Sequence, residues 1–261
     1  MACSISFIVL ASVTGFPGGS RNRAKLLPML RTRSWLTPLF LTGMLPLLWS
    51  QSQGLEPSDR DYLVSHLEFT RDLVAASTRG LSRAQWEYRP APDRWTIAQC
   101  IDHLTKTESY LLKAVRERLV TAAGPVNMFN PGAKVEIKEP PRRMGPLEDG
   151  LIIRSMTDRI AATRIPASKR PVFPEIGPAS SFEDPAKVAE EFQRVRNTTI
   201  EYVRTTRDDL RAHHTPASLS PYRKHFAYED AYQWILRMSA HTERHLMQAQ
   251  EVTRAAGYPT R

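Results

Sequence analysis

The sequence predicts an all-α fold, a four-helix bundle with a long proline-rich crossover between helices two and three. Apolar residues recur at helical spacing in four separate segments, and no segment alternates convincingly as a strand would. Prolines gather in residues 124–181, which therefore cannot form one long helix. One long and two moderate connections are typical of a bundle with a crossover rather than of simple up-and-down order.

Local end signals place the first two helices. The first is predicted to begin near Ser58, whose side chain can cap free backbone N–H groups, and to end at Gly80. The second is predicted to begin at Ile97, directly after the N-cap residue Thr96, and to end before Gly124.

The last two helices follow the proline-rich stretch. The third is predicted to start at Asp184 and Pro185, because proline in the first helical turn lacks only a donor that would have no helical partner. A polar link over residues 206–226 leads to the fourth, predicted from about 228 to 256. Inside the crossover, residues 151–165 are predicted to form a short helix.

The composition indicates a globular protein, with 41% hydrophobic and 24% charged residues. The formal net charge is +9, but residues 1–54 hold five basic residues and no acid. The remainder has 31 basic against 27 acidic residues, a balance of +4 without a dense basic block. We therefore expect no nucleic-acid partner. The expected partner is a small-molecule substrate. Two cysteines, Cys3 and Cys100, are too few for a cysteine metal cluster.

Residues 1–54 are interpreted as a targeting segment, and residues 55–261 as the folded domain. From Met29 a short basic stretch leads into an apolar run over 35–49, and small or polar residues follow. This order is typical of a signal peptide and predicts export to the periplasm or the extracellular space. The run is short and contains prolines, so no stable membrane span is expected after processing. A disordered tail or a retained anchor remains an alternative, and without a signal the location would be cytoplasmic.

Two histidines on the predicted fourth helix, His241 and His245, are four residues apart and share one face. The same face carries Trp234 and Met238, so both imidazoles point toward the predicted core. Unpartnered imidazoles would be costly there, and one metal ion would bind both. The pair is not a zincin motif, because Thr242 stands where that motif has glutamate.

A third histidine, His103, lies beside the apolar seam of the second helix and is the candidate third ligand. His66 shares a face with apolar residues of the first helix, so it either is an ordinary core histidine or lines the same cavity. The other three histidines lie in the polar link and are predicted to be exposed: His213, His214 and His225.

Helical spacing from the histidines suggests further residues that line the pocket, with plain packing or a solvated surface as the alternative. They are Tyr110, Arg237 and Gln248. Of these, Arg237 is the candidate contact for an anionic substrate. Glu243 is not predicted to be a catalytic base, because it lies two residues from each histidine of the pair and points away from their face.

Two motifs resemble the DinB-like (DinB/YfiT-type) metal-binding proteins. Residues 92–104, with Trp95 and the capping Thr96, are similar to the start of helix two in that family. Residues 241–248 are similar to its closing histidine pair. The resemblance covers about residues 58–256, and the spacing of two separate motifs makes it fairly specific.

The resemblance implies a four-helix bundle in which three histidines hold one divalent ion, zinc, nickel or iron, with open coordination positions. The ligands would be His103, His241 and His245. Related members include bacillithiol- and mycothiol-dependent enzymes, so one interpretation is a thiol S-transferase that uses a low-molecular-weight thiol. A hydrolase that activates water is the second. The alternative is a non-catalytic metal-binding bundle that acts as a binding or dimerisation module, with a homodimer as its assembly.

Overall fold

The computed structural model describes residues 54–136, 139–158, 176–217 and 227–260, and these are mostly helical. The helices are α1 (Pro57–Thr78), α2 (Arg83–Glu87), α3 (Ile97–Ala114), α4 (Pro146–Thr157), α5 (Ala186–Thr205) and α6 (Ala231–Thr253). The predicted targeting segment lies outside the described residues, except for Gly54. Among the described residues, no helix combines the length and the apolar composition that a membrane span requires.

The long helices pack side by side around a shared core. Helix α1 lies against α5 and α6, and α3 lies against the same two helices. Helix α4 packs on α6, which is therefore covered from several directions and buries most of its side chains. Two apolar clusters fill the space between the helices, one around Leu63, Leu111 and Ile235 and the other around Ile101 and Leu246. This packing brings the inner faces of α3 and α6 into contact.

A small antiparallel ribbon departs from the all-α prediction. Strand β1 (His214–Pro216) pairs with β2 (Tyr228–Asp230), and Thr215 stands opposite Glu229. The polar link between the third and fourth predicted helices is therefore partly ordered as a ribbon. Residues 218–226 of that link lie outside the described residues.

Both helices that carry the candidate ligands begin with a capping box, in which two orphan backbone donors are satisfied reciprocally. At the start of α3, the Thr96 hydroxyl accepts a hydrogen bond from the backbone N–H of Gln99, whose side chain accepts one in return. At the start of α6, Asp230 and Gln233 make the same exchange. The Asp230 cap explains why this helix begins at Ala231 rather than near residue 228 as predicted.

The first helix begins one residue earlier than predicted and without a side-chain cap. Its first residue is Pro57, so Ser58 is already inside the helix and does not cap it. Proline suits this position because its missing donor would have no partner in the first turn. The helix ends beside Gly80 as predicted, where a φ of 68° favours glycine.

The starts of α3 and α5 agree with the predictions from the sequence. Helix α5 begins directly after Pro185, and the Asp184 carboxylate accepts a hydrogen bond from the backbone N–H of Ala186. Helix α3 continues into a π-helical turn, Val115–Leu119, and ends before the predicted Gly124.

The proline-rich crossover contains one described helix, α4. It begins at Pro146 and ends at Thr157, whereas the predicted helix covered 151–165. The earlier start has the same cause as in α1, since proline occupies the first helical position. Residues 159–175 of the crossover lie outside the described residues, and residues 176–179 run along α3.

Candidate metal centre

Three imidazoles from two helices meet between α3 and α6. One nitrogen of His103, one of His241 and one of His245 all lie within 4.8 Å of one another. The Nε2 atoms of His241 and His245 are 2.9 Å apart. Two nitrogens that bind one tetrahedral ion at about 2.0–2.1 Å lie about 3.3 Å apart, so this pair is close to the spacing that an ion requires.

The burial of the three rings gives the centre a closed and an open side. His245 and His103 are buried, and His241 is partly exposed. All three ligands are neutral when they bind a metal, so an ion held here would keep its full charge. The side of His241 is therefore the accessible side of the three-histidine group.

The end of the crossover contacts the His103 ring through the backbone of Ile176. The Nδ1 atom of His103 is 2.7 Å from the Ile176 carbonyl oxygen. A carbonyl only accepts hydrogen bonds, so Nδ1 carries the proton and Nε2 is the nitrogen that could bind a metal ion. Two further bonds tie this segment to α3: Gln99 Nε2 donates to the Ala179 carbonyl at 3.0 Å, and the Ala179 N–H donates to Asp102 at 2.8 Å. Sequence reasoning missed Ile176, because a backbone carbonyl leaves no trace in residue type.

Trp95 forms a wall of the centre. Its ring centroid is 4.9 Å from that of His103 and 5.7 Å from that of His245, with the second pair nearly parallel at 21°. In the sequence, Trp95 contributes only to the family resemblance. Its position directly before the Thr96 cap was the available signal, since the cap sets where the preceding residue points.

Comparison with known protein families identifies the family of the chain. A family model described as the DinB superfamily matches residues 66–249. The chain belongs to the DinB superfamily. The matched range contains the histidines of both helices. No curated protein and no solved structure matches the chain.

In this DinB superfamily protein, His66 faces a different side of α6 from the three clustered histidines. Its Nδ1 atom is 2.7 Å from the Ser239 hydroxyl, and its Nε2 atom is 3.5 Å from the Glu243 carboxylate. Ser239 and Glu243 flank His241 at two residues on either side, which places them on the α1 side of the helix. Burial lowers the pKa of His66 and raises that of Glu243.

Two other predicted pocket residues lie toward the start of α6. The Tyr110 ring stacks on Phe129 at 6.3 Å, and Phe129 meets Trp234 edge-on at 5.3 Å. Arg237 is buried and forms an ion pair with Glu229, so it is not the solvated arginine of the alternative interpretation. The third predicted pocket residue, Gln248, is half-buried on α6.

Two of the three histidines of the polar link differ from the prediction that they are exposed. His214 is buried, because it lies in β1 and packs edge-on against Tyr228 at 6.5 Å. His213 is half-buried, and His225 lies outside the described residues.

A buried ion pair that the sequence analysis overlooked lies in the same helical core. Arg196 of α5 and Glu108 of α3 share three hydrogen bonds of 2.7–2.9 Å. Arg196 also donates to the hydroxyl of Thr242, the residue after His241, at 2.8 Å. The signal was present, since Glu108 continues the apolar seam of its helix between Leu104 and Leu111 at helical spacing.

Proposed function

We propose that this chain is a metal-dependent enzyme with a three-histidine centre for one divalent ion, zinc, nickel or iron. The observation that carries the proposal is the convergence of His103, His241 and His245 within 4.8 Å, from two helices of a DinB superfamily chain. Helices α1, α3, α5 and α6 would form the four-helix bundle, with the proline-rich stretch as its crossover. When bound, an ion with three neutral ligands supplies Lewis-acid chemistry at its open positions.

The surrounding residues suit such a centre. The Ile176 carbonyl orients His103 by accepting the Nδ1 proton, a partnership that metal-binding histidines usually have. Trp95 covers His103 and His245 and excludes water from that side. The partly exposed His241 marks the side from which a small-molecule substrate enters.

Thiol transfer is the reaction that these residues support best. Among the described residues, no carboxylate belongs to the group of ligand atoms that meet at the centre, and Glu243 pairs with His66 instead. A thiol has an ordinary pKa of about 8.5 and is already close to ionisation at neutral pH, whereas water starts from a pKa of about 15.7 and depends on the ion to reach about 7. The proposed reaction adds a low-molecular-weight thiol to an electrophile. The S–H bond breaks and releases its proton to solvent, a carbon–sulfur bond forms, and the electron pair displaced from the electrophilic carbon takes up a proton from solvent.

Metal analysis of the purified full chain is the first test. We expect about one divalent ion per chain, and its loss in His103→Ala, His241→Ala and His245→Ala with the helical circular dichroism retained. His213→Ala, a half-buried histidine outside the cluster, is the matched control and should keep the ion. Absence of stoichiometric metal from protein made in metal-containing medium would overturn the proposal.

An activity screen then separates the reactions. The metal-loaded protein is supplied with an electrophile in the presence or absence of bacillithiol, mycothiol or a simple thiol. Consumption that requires the thiol supports thiol transfer. Consumption by water alone replaces it with hydrolysis, and no reaction by the loaded protein supports a non-catalytic binding or dimerisation module instead.

We also propose that the N-terminal segment directs export of the protein. Residues 1–54 would direct the chain to the periplasm or the extracellular space, with a small molecule rather than nucleic acid as partner. N-terminal sequencing of the protein from its native host tests this. A mature chain that still begins at Met1 in the cytoplasm would contradict it.

A further inference from the structure

A polar cluster lies on the face of α6 that leads to the histidine pair. Glu229 of β2 and Thr215 of β1 stand opposite each other, and both are fully buried. The Glu229 side chain forms an ion pair with Arg237, one helical turn before His241. The Arg237 guanidinium lies 5.1 Å from the ring centroid of Trp234. We call Thr215, Glu229, Trp234 and Arg237 the polar cluster.

Three atoms of the polar cluster lack the partners that buried polar atoms need. In the part of the chain that the structure describes, Glu229 Oε2, Thr215 Oγ1 and Trp234 Nε1 are buried without a hydrogen-bond partner. Most buried polar atoms in native proteins are hydrogen-bonded, so three such atoms on residues that the ribbon and Arg237 connect to one another require an explanation. The carboxylate oxygen only accepts, the indole N–H only donates, and the hydroxyl does both. The missing partner is therefore a group with at least one N–H or O–H donor and an acceptor.

The polar cluster and the metal centre are two ends of one helix–helix contact. Trp234 lies seven residues before His241 on α6, and Tyr110 lies seven residues after His103 on α3. Phe129 contacts both Tyr110 and Trp234, so the two helices run antiparallel past each other. Seven residues of helix correspond to about 10 Å. A molecule that reaches both ends must be about that long.

The charge of the polar cluster indicates what it binds. The positive charge of Arg237 is matched by Glu229 at the ion pair, so the pair offers no net charge to an anion. This argues against the anionic substrate that the sequence suggested for Arg237. The orphan atoms suit a neutral hydrogen-bonding end instead.

We propose that the polar cluster recognises the far end of the thiol that the metal centre uses. The thiol is then an elongated, uncharged molecule whose hydroxyl or amide end lies about 10 Å from its sulfur. This inference rests on the proposed function, because the sulfur end requires the three-histidine centre.

Calorimetric binding of two neutral thiols to the metal-loaded full chain tests the proposal. Pantetheine has a distant end with hydroxyl groups, and N-acetylcysteamine is the same thiol without that end. We expect pantetheine to bind about tenfold more tightly, and Thr215→Val to remove most of this preference. The thermal midpoint of ligand-free Thr215→Val should stay unchanged or rise, because an orphan hydroxyl contributes no stability. Thr205→Val, an exposed threonine on α5, is the matched control and should keep the preference.

The outcomes separate the two proposals. Equal affinity for the two thiols means that the orphan atoms bind water, and it overturns this inference while leaving the metal centre in place. A Thr215→Val protein that melts earlier but keeps the preference assigns the cluster a purely structural role and also overturns it. If neither thiol binds the loaded protein, the proposed thiol chemistry fails together with the inference.

Discussion

Replacing Arg196 by methionine should destabilise the protein severely. Arg196 has 0% and Glu108 has 2% of its surface exposed, and three hydrogen bonds join them. Removing the guanidinium leaves a buried carboxylate without its charge partner. Breaking a buried pair in this way costs about 3–5 kcal/mol of unfolding free energy. At about 2–4 °C per kcal/mol for a domain of this size, the midpoint of thermal unfolding should fall by about 6–20 °C.

Urea unfolding followed by circular dichroism measures this change, and two further variants make it interpretable. Arg194→Met removes an arginine on the same helix whose side chain is 68% exposed in its pair with Glu191, so it should cost less than about 0.5 kcal/mol. Replacing Arg196 by methionine and Glu108 by leucine together should recover most of the loss, because no charge is then stranded. An Arg196→Met protein as stable as Arg194→Met would refute the reasoning.

Two other predictions concern the ends of the ligand-bearing helices. Thr96→Ala removes the cap bond to Gln99 and should lower the unfolding free energy by about 1 kcal/mol in urea, a loss that Thr96→Ser should largely avoid. Burial raises the pKa of Asp230 to about 7, against 3.8 for the ordinary group. Between about pH 4 and pH 7 the folded protein therefore keeps a proton that the unfolded chain releases, so this group's contribution to stability falls as the pH rises and levels off above pH 7. The difference in unfolding free energy between wild type and Asp230→Asn should follow this slope, up to about 1.4 kcal/mol per pH unit, and a difference independent of pH would show the assignment to be wrong.

The start of α3 was predicted correctly, because one side chain determines it. Thr96 caps α3 through a bond to a residue three positions away, so the signal is contained in a few neighbouring residues. Ser58 misled the prediction, because the adjacent Pro57 begins the helix and needs no cap. The start of α6 was misplaced because its first three predicted residues, 228–230, pair with β1. Such pairing depends on β1, a separate segment of the chain that no pattern within residues 228–230 indicates.

The candidate site was also predicted only where the signal lies within a few neighbouring residues. The spacing of His241 and His245 shows that they share a helix face, since helical geometry repeats every 3.6 residues. Their meeting with His103 was an expectation from apolar periodicity and the family resemblance, and the helix packing brings the three rings together. The contact between His103 and the Ile176 carbonyl could not be predicted, because every residue type carries the same backbone oxygen.

By itself, the sequence determined the mostly helical character of this protein, the helix face that His241 and His245 share and the family to which the motifs point. These properties depend on residue type and on spacings of a few residues, which the chain carries locally. Only the tertiary structure decided which polar groups are buried and what they meet. The pairs Arg196–Glu108 and Arg237–Glu229, and the orphan atoms beside the second pair, arise from contacts between separate elements. Burial and partnership belong to the packed helices as a whole, and they give these charges and hydrogen-bonding atoms their chemical meaning.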